Sequence, residues 1–161
     1  MKIKTITPKQ ALELMQKLCS TCEKCTADIR QKLIEYKIEP VEVDKILQQL
    51  QTSGFIDDER FVCAFVRTKH KIAKWGKQKI EFSLRNKQIP QQIITKALTE
   101  IHGESNSATI EAELQKKLKT LKAKSKTELA AKLLRFALSR GYEYSESYEI
   151  AKGLIDEIAD N

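Results

Sequence analysis

Glycine and proline are scarce in this sequence, at five and three among 161 residues, and there is one tryptophan. So few helix-breaking residues, with Leu, Ile, Lys, Glu, Gln and Ala dominating and few apolar–polar alternations, argue against β structure and for an all-α chain. Other absences bound the function. There is no glycine-rich phosphate loop, no His-rich metal motif and no nucleophile beside an evident base, so the chain reads as non-enzymatic and free of cofactors. No apolar run approaches membrane-spanning length, and the start MKIKTITPKQ has no signal-peptide core. A cytoplasmic, monomeric protein with no membrane partner is expected.

Positive charge is abundant and unevenly placed. The net charge of +7 is the balance of neutral, basic and acidic stretches. Residues 67–87 hold Arg67, Lys69, Lys71, Lys74, Lys77, Lys79, Arg85 and Lys87 against Glu81 alone, a net +7. Residues 116–140 hold Lys116, Lys117, Lys119, Lys122, Lys124, Lys126, Lys132, Arg135 and Arg140 against Glu128, a net +8. Residues 1–66 are neutral, and 88–115 and 141–161 are acidic. Blocks of this kind attract a polyanion through Coulomb forces and counterion release, although a solvated helix face also collects lysine. Two blocks in matching places favour a shared basic surface.

The matching places come from an internal repeat. Ile29, Leu33, Ile38, Val43, Leu47 and Leu50 recur as Ile80, Leu84, Ile89, Ile94, Leu98 and Ile101 at a constant offset of 51. A fainter third copy sets Leu133, Ala137, Tyr142, Ile150 and Leu154 opposite Ile29, Leu33, Ile38, Ile46 and Leu50 at an offset of 104. Such a period is that of stacked helical units. The periodicity predicts three tandem three-helix repeats, 1–54, 55–104 and 105–161, in an elongated, curved arrangement. Their helices are expected at 8–19, 23–36 and 40–52, at 58–73, 77–87 and 90–102, and at 107–121, 126–140 and 145–159. Capping boxes at Thr7-Pro8-Lys9-Gln10 and Ser125-Lys126-Thr127-Glu128 mark two starts, and Pro40 and Pro90 lie near two others.

The stretch Gly54–Leu84 combines a helix boundary, a packing stripe and a basic block. Gly54 suits the left-handed position after a helix, and Asp57 suits the N-cap of the next. Ile56 and Phe61 then form a hydrophobic staple, with Asp58 and Glu59 beside the positive helix end. These adjacent carboxylates point in different directions, so capping is preferred to a metal or acid–base role. Phe61, Ala64, Phe65, Thr68 and Ile72 follow the spacing of one buried helix face.

Cys19, Cys22 and Cys25 have a spacing open to zinc, with Cys63, His70 or His102 as a fourth ligand, but no second paired motif accompanies them. Reduced, partly buried thiols are the preferred reading, with Cys63 a packing residue inside its helix. His70, among lysines, and His102, before Gly103, read as exposed or as cations at a helix C-terminus. Trp75 and Tyr142 are the aromatics nearest the basic residues. Core packing is preferred for both, with stacking on a base or a partner as the alternative.

Gly54-Phe55-Ile56-Asp57-Asp58-Glu59-Arg60-Phe61, followed by Phe65-Val66-Arg67, Gly76, Ile80 and Leu84, resembles the signature of the RecX family of bacterial recombination regulators. Arg140-Gly141-Tyr142 matches the basic-Gly-aromatic step of that family's last repeat, and the Cys19–Cys25 stretch resembles a variant found in some of its branches. The resemblance covers nearly the whole chain. It implies a non-enzymatic modulator that lodges in the groove of the RecA filament on single-stranded DNA. Such a protein restrains ATP hydrolysis, strand exchange and coprotease action. The residues expected to meet RecA or DNA are Arg67, Lys69, Lys71, Lys74, Lys77, Lys79, Arg85, Lys87, Lys124, Lys126, Lys132, Arg135 and Arg140. The family pattern often has glycine before the positions of Ile38 and Ile89, where this chain has Lys37 and Gln88, so those joints are expected to turn differently. Two other readings remain open on the sequence: a stand-alone nucleic-acid-binding helical protein, and a metal or redox sensor centred on Cys19, Cys22 and Cys25.

Overall fold

The structure, a computed structural model, describes residues 6–101 and 106–159, and all regular structure among them is helical. The helices are α1 (Pro8–Thr21), α2 (Thr26–Glu35), α3 (Pro40–Thr52), α4 (Asp58–Arg67), α5 (Lys77–Asn86), α6 (Gln91–Thr99), α7 (Asn106–Leu118), α8 (Lys126–Arg140) and α9 (Tyr144–Ala159). A single π-helical turn, Thr68–Ile72, continues α4. His102 and Gly103 lie outside the described residues.

Local chemistry explains several of these boundaries. Thr7 and Gln10 close a reciprocal capping box on α1, and Pro40 occupies the first turn of α3, where its missing N–H costs no hydrogen bond. Ser125 caps α8 by accepting from the amide of Glu128 at 3.1 Å. The Glu128 carboxylate reaches back to the Lys124 amide, one residue beyond the N-cap that a capping box would use. The second helix starts at Thr26 instead of 23, because Cys22 and Cys25 both have extended backbone.

The chain divides into two compact units, one of Met1–Phe65 with Leu84–Ile94, the other of Val66–Ser83 with Thr95–Asn161. In the first, α3 packs on α1 and α2 around a core that includes Met15, Ile29, Leu33, Val43, Leu47 and Leu50. In the second, α7, α8 and α9 pack on one another around Ile110, Leu114, Leu133, Ala137, Tyr142 and Leu154.

The repeat is visible as one helix ending used three times. At the end of α2, Lys37 N–H donates to Ile34 C=O at 2.8 Å and Ile38 N–H to Leu33 C=O at 3.1 Å. After α5, Gln88 donates to Arg85 and Ile89 to Leu84, at 2.8 and 3.2 Å. After α8, Gly141 donates to Leu138 and Tyr142 to Ala137, at 2.9 and 3.2 Å. Each ending is a Schellman motif with a left-handed residue, at φ of 58°, 58° and 80° for Lys37, Gln88 and Gly141. Each buries the apolar residues that flank it: Leu33 and Ile38, Leu84 and Ile89, Ala137 and Tyr142. The joints at Lys37 and Gln88 therefore turn as the glycine joint does, against the expectation from their side chains. The two carbonyls satisfied and the apolar pair buried at each ending outweigh a left-handed backbone strain of about 1–2 kcal/mol.

The packing stripe of α4 is displaced from the expected one. Its buried residues are Phe61, Val62 and Val66, followed by His70 in the π turn, while Ala64 and Phe65 are half-buried. Thr68 is exposed and Ile72 is 79% exposed, so neither belongs to the core. Within α4 the buried stripe runs through Val62 and Val66, which already leaves Thr68 outside it, and the wide turn that follows, closed by Ala73 N–H on Thr68 C=O at 3.2 Å, changes the period and carries Ile72 off the stripe. His70 is thereby drawn inward, with its Nδ1 3.3 Å from the carbonyl oxygen of Trp75, instead of exposed. Cys63 faces solvent instead of packing.

Candidate nucleic-acid and partner interface

The most recognisable sequence, GFIDDERF, builds a joint in the first unit. Gly54, at φ 72°, closes α3 with another Schellman motif: its amide donates to Gln51 C=O at 3.0 Å and the Phe55 amide to Leu50 C=O at 2.9 Å. Asp57 caps α4 by accepting from the Arg60 amide at 3.0 Å, and Ile56 and Phe61 are both buried. Asp58 accepts from the amide and hydroxyl of Thr26, at 2.8 and 3.2 Å, so it caps the start of α2 from the first turn of α4. The guanidinium of Arg60 donates to Glu23 at 2.7 Å and to Gly54 C=O at 3.1 Å. These residues tie α2, α3 and α4 together, and none of their polar groups is presented as a catalytic set. Glu23, unremarkable in sequence, is found only through its Arg60 partner, 37 residues away.

The second unit brings parts of the two basic blocks together. The Gly76 amide donates to Arg140 C=O at 2.8 Å, Arg140 Nη1 donates to Ala73 C=O at 3.0 Å, and Lys79 Nζ donates to Ser139 C=O at 2.9 Å. Tyr142, 1% exposed, donates its hydroxyl to Lys74 C=O at 2.6 Å, which assigns it to the core and removes it from any surface stack. Burial pushes its phenol up to about 12. Trp75 is half-buried, with the ammonium groups of Lys69 and Lys79 at 4.7 and 4.5 Å from its ring.

The basic side chains therefore differ in their commitments. Lys79 and Arg140 hold backbone carbonyls, and Arg140 also sits 5.2 Å from the Phe136 ring. Lys132 pairs with Glu128 at 2.7 Å. In the first unit, Lys87 pairs with Asp28 at 2.6 Å and lies 5.6 Å from the Phe61 ring, while Arg85 donates to Gln91 at 2.9 Å. Lys69, Lys74 and Lys77 are half-buried, and burial lowers the Lys77 ammonium below its ordinary value. Arg67, Lys71, Arg85, Lys124, Lys126 and Arg135 are exposed.

The three clustered cysteines do not share an environment. Cys22 is exposed, Cys19 half-buried and Cys25 fully buried at the N-cap of α2, where burial pushes its thiol up to about 11. Among the described residues, no three His, Cys, Asp or Glu side chains converge as a metal site would require. Nor is any described helix long and apolar enough to cross a membrane.

Comparison with known proteins gives consistent matches. The family model for the second three-helix domain of RecX matches residues 57–98, and that for the third matches residues 104–150. The regulatory protein RecX of Clostridium acetobutylicum is 30% identical over 153 residues, which cover 92% of this chain and 68% of the relative. That of Clostridium perfringens is 29% identical over 133 residues, 81% of this chain and 62% of the relative. The chain thus spans 62 to 68% of the length of these two relatives. A crystal structure of a regulatory protein RecX superposes with a TM-score of 0.78 at 25% identity, covering 91% of this chain and 71% of that one. RecX from Lactobacillus salivarius superposes with a TM-score of 0.74 at 18% identity, covering 91% and 96%, a likeness of fold.

Proposed function

The chain belongs to the RecX family, and from that premise we propose that it is a non-enzymatic regulator that binds the RecA recombinase filament on single-stranded DNA. In this reading it modulates or inhibits ATP hydrolysis, strand exchange and coprotease action. The observation that carries the proposal is the meeting of the two basic blocks in the second unit, in a chain matched by the RecX family over the same residues. A filament groove that exposes DNA phosphates beside acidic protein attracts such a surface. The GFIDDERF joint is structural within the first unit, its polar groups spent on caps and on the Arg60–Glu23 pair. The chain would act in the cytoplasm, as a monomer, through Arg67, Lys71, Lys124, Lys126, Arg135 and their neighbours.

The test is a titration of RecA ATPase on single-stranded DNA with the purified chain. A fall or change in hydrolysis at stoichiometric amounts is expected. Unchanged ATPase and unchanged strand exchange would overturn the proposal.

A further inference from the structure

Helix α5 turns Ile80 and Leu84 inward and Phe82 outward, leaving Phe82 66% exposed. Burying a phenylalanine side chain is worth about 1.5–3 kcal/mol, and most of that is forgone at this position. The internal repeat serves as a control for what the fold requires. The offsets of 51 and 104 that align Leu33, Leu84 and Ala137 also align Gln31, Phe82 and Arg135. All three are exposed, so the position tolerates a polar residue, and only the second repeat carries a ring there.

The surroundings suggest what the ring is for. Lys79 lies three residues before Phe82, one helical turn away on the same side of α5, and its ammonium sits 4.5 Å from the Trp75 ring. Gln78, four residues before Phe82, is exposed. Indole, ammonium and phenyl groups thus follow one another along the second unit, inside a stretch of sequence with a net charge of +7. A polyanion without flat faces would engage the lysines and gain nothing from a phenyl ring. Duplex DNA keeps its base faces stacked inside. Single-stranded DNA offers both phosphates and open base faces, and base–aromatic stacking is tolerant of sequence.

We infer that Phe82 is a stacking platform for single-stranded DNA, with the exposed cations of residues 67–79, Arg67 and Lys71, holding its phosphates. This rests on the regulatory reading above and says which residue meets the DNA within it. The chain itself is the test, without RecA. Labelled oligothymidylate is titrated and binding is followed by anisotropy, and also by the emission of Trp75, the sole tryptophan. The wild-type chain is expected to bind and to change its Trp75 emission. Phe82→Ala is expected to bind roughly tenfold more weakly with an unchanged melting curve, and Phe82→Tyr to bind as the wild type does. Inorganic polyphosphate is expected to bind both the wild type and Phe82→Ala equally.

Four results would overturn the inference: no binding of oligothymidylate by the wild type, equal binding by Phe82→Ala, equal weakening toward polyphosphate, or failure of Phe82→Tyr to restore binding. A Phe82→Ala chain that loses its effect on RecA while binding oligothymidylate normally would place the ring against protein instead. Failure of the regulatory reading is separate, since it appears as a wild-type chain that leaves RecA ATPase unchanged.

Discussion

A Cβ atom added to Gly76 would stand 2.1 Å from the carbonyl oxygen of Gly141, and one added to Gly141 would stand 2.4 Å from the backbone nitrogen of Lys79. Two glycines from distant parts of the sequence are thus pressed backbone to backbone. The contact is locked by the Gly76 amide on Arg140 C=O and the Gln78 amide on Gly141 C=O, at 2.8 and 3.3 Å. The place of Gly76 in the motif is explained by the lack of a side chain at a crossing of two main chains.

The glycines should therefore rank by environment. Gly76→Ala meets immovable backbone and is expected to cost about 3 kcal/mol or more. Gly141→Ala adds left-handed strain to its own clash and should cost at least as much. Gly54→Ala has φ 72° but no atom within 4 Å, so about 1 kcal/mol is expected. Gly153→Ala, in open space within α9, should stabilise by about 0.5–1 kcal/mol. Urea unfolding of the four variants gives the order directly.

The equivalent joints at Lys37 and Gln88 carry left-handed strain without a glycine. Lys37→Gly and Gln88→Gly should each raise stability by about 1 kcal/mol, because the strain relieved exceeds the chain entropy added to the unfolded state. Both side chains are exposed, so little packing is lost. A lower urea midpoint in either variant would contradict the assigned backbone conformation.

Helix identity, caps and the repeat were legible because each rests on short-range chemistry. Thr7–Gln10, Asp57 and Pro40 behave as their neighbours in sequence dictate, and the repeat positions Leu33, Leu84 and Ala137 are all fully buried. What was illegible depends on distant partners or on a change of period. Nothing near Asp58 in sequence announces Thr26, and nothing near Lys79 announces Ser139. The π turn shifts the register within five residues, so a stripe extrapolated from Phe61 at the helical period ends on Ile72, a solvent-facing residue. Charge counts located the basic blocks but not which lysines are already engaged.

The π turn makes a direct contrast measurable. Phe61, 7% exposed, should lose about 3–5 kcal/mol on Phe61→Ala. Ile72→Ala, at a position 79% exposed, should stay within about 0.5 kcal/mol of the parent. Comparable losses in both would mean that α4 continues as a regular helix with Ile72 inside.

Alkaline unfolding should report on Tyr142. Its phenol is raised from 10 to about 12 by burial, so the folded state holds its proton more tightly than the unfolded chain does. The resulting stability is present below pH 10 and is lost as pH rises from 10 through 12, on the order of 2 kcal/mol in all. Cys25, raised from 9 to about 11, adds to the same decline from pH 9 upward. Tyr142→Phe removes the hydroxyl bond to Lys74 C=O, so it should cost about 1 kcal/mol at pH 7 and flatten the fall above pH 10. Urea midpoints measured from pH 7 to 11.5 distinguish the two effects.

Charge reversal should separate binding residues from structural ones. Arg67→Glu, Lys126→Glu and Arg135→Glu alter exposed side chains, so each should leave the urea midpoint nearly unchanged. Combined, they should weaken binding to single-stranded DNA and lower the salt dependence by about one power of salt for each phosphate contact removed. Reversing Lys74, Lys77 and Lys79 together is a poorer probe. Lys79 holds Ser139 C=O and the Trp75 ring, and a carboxylate there would face both the carbonyl oxygen and the negative face of the indole. That variant should lose stability as well as binding. If it kept the parent's midpoint while the exposed triple did not, the basic blocks would have to be reassigned, with Lys79 outward and Arg67 or Arg135 engaged.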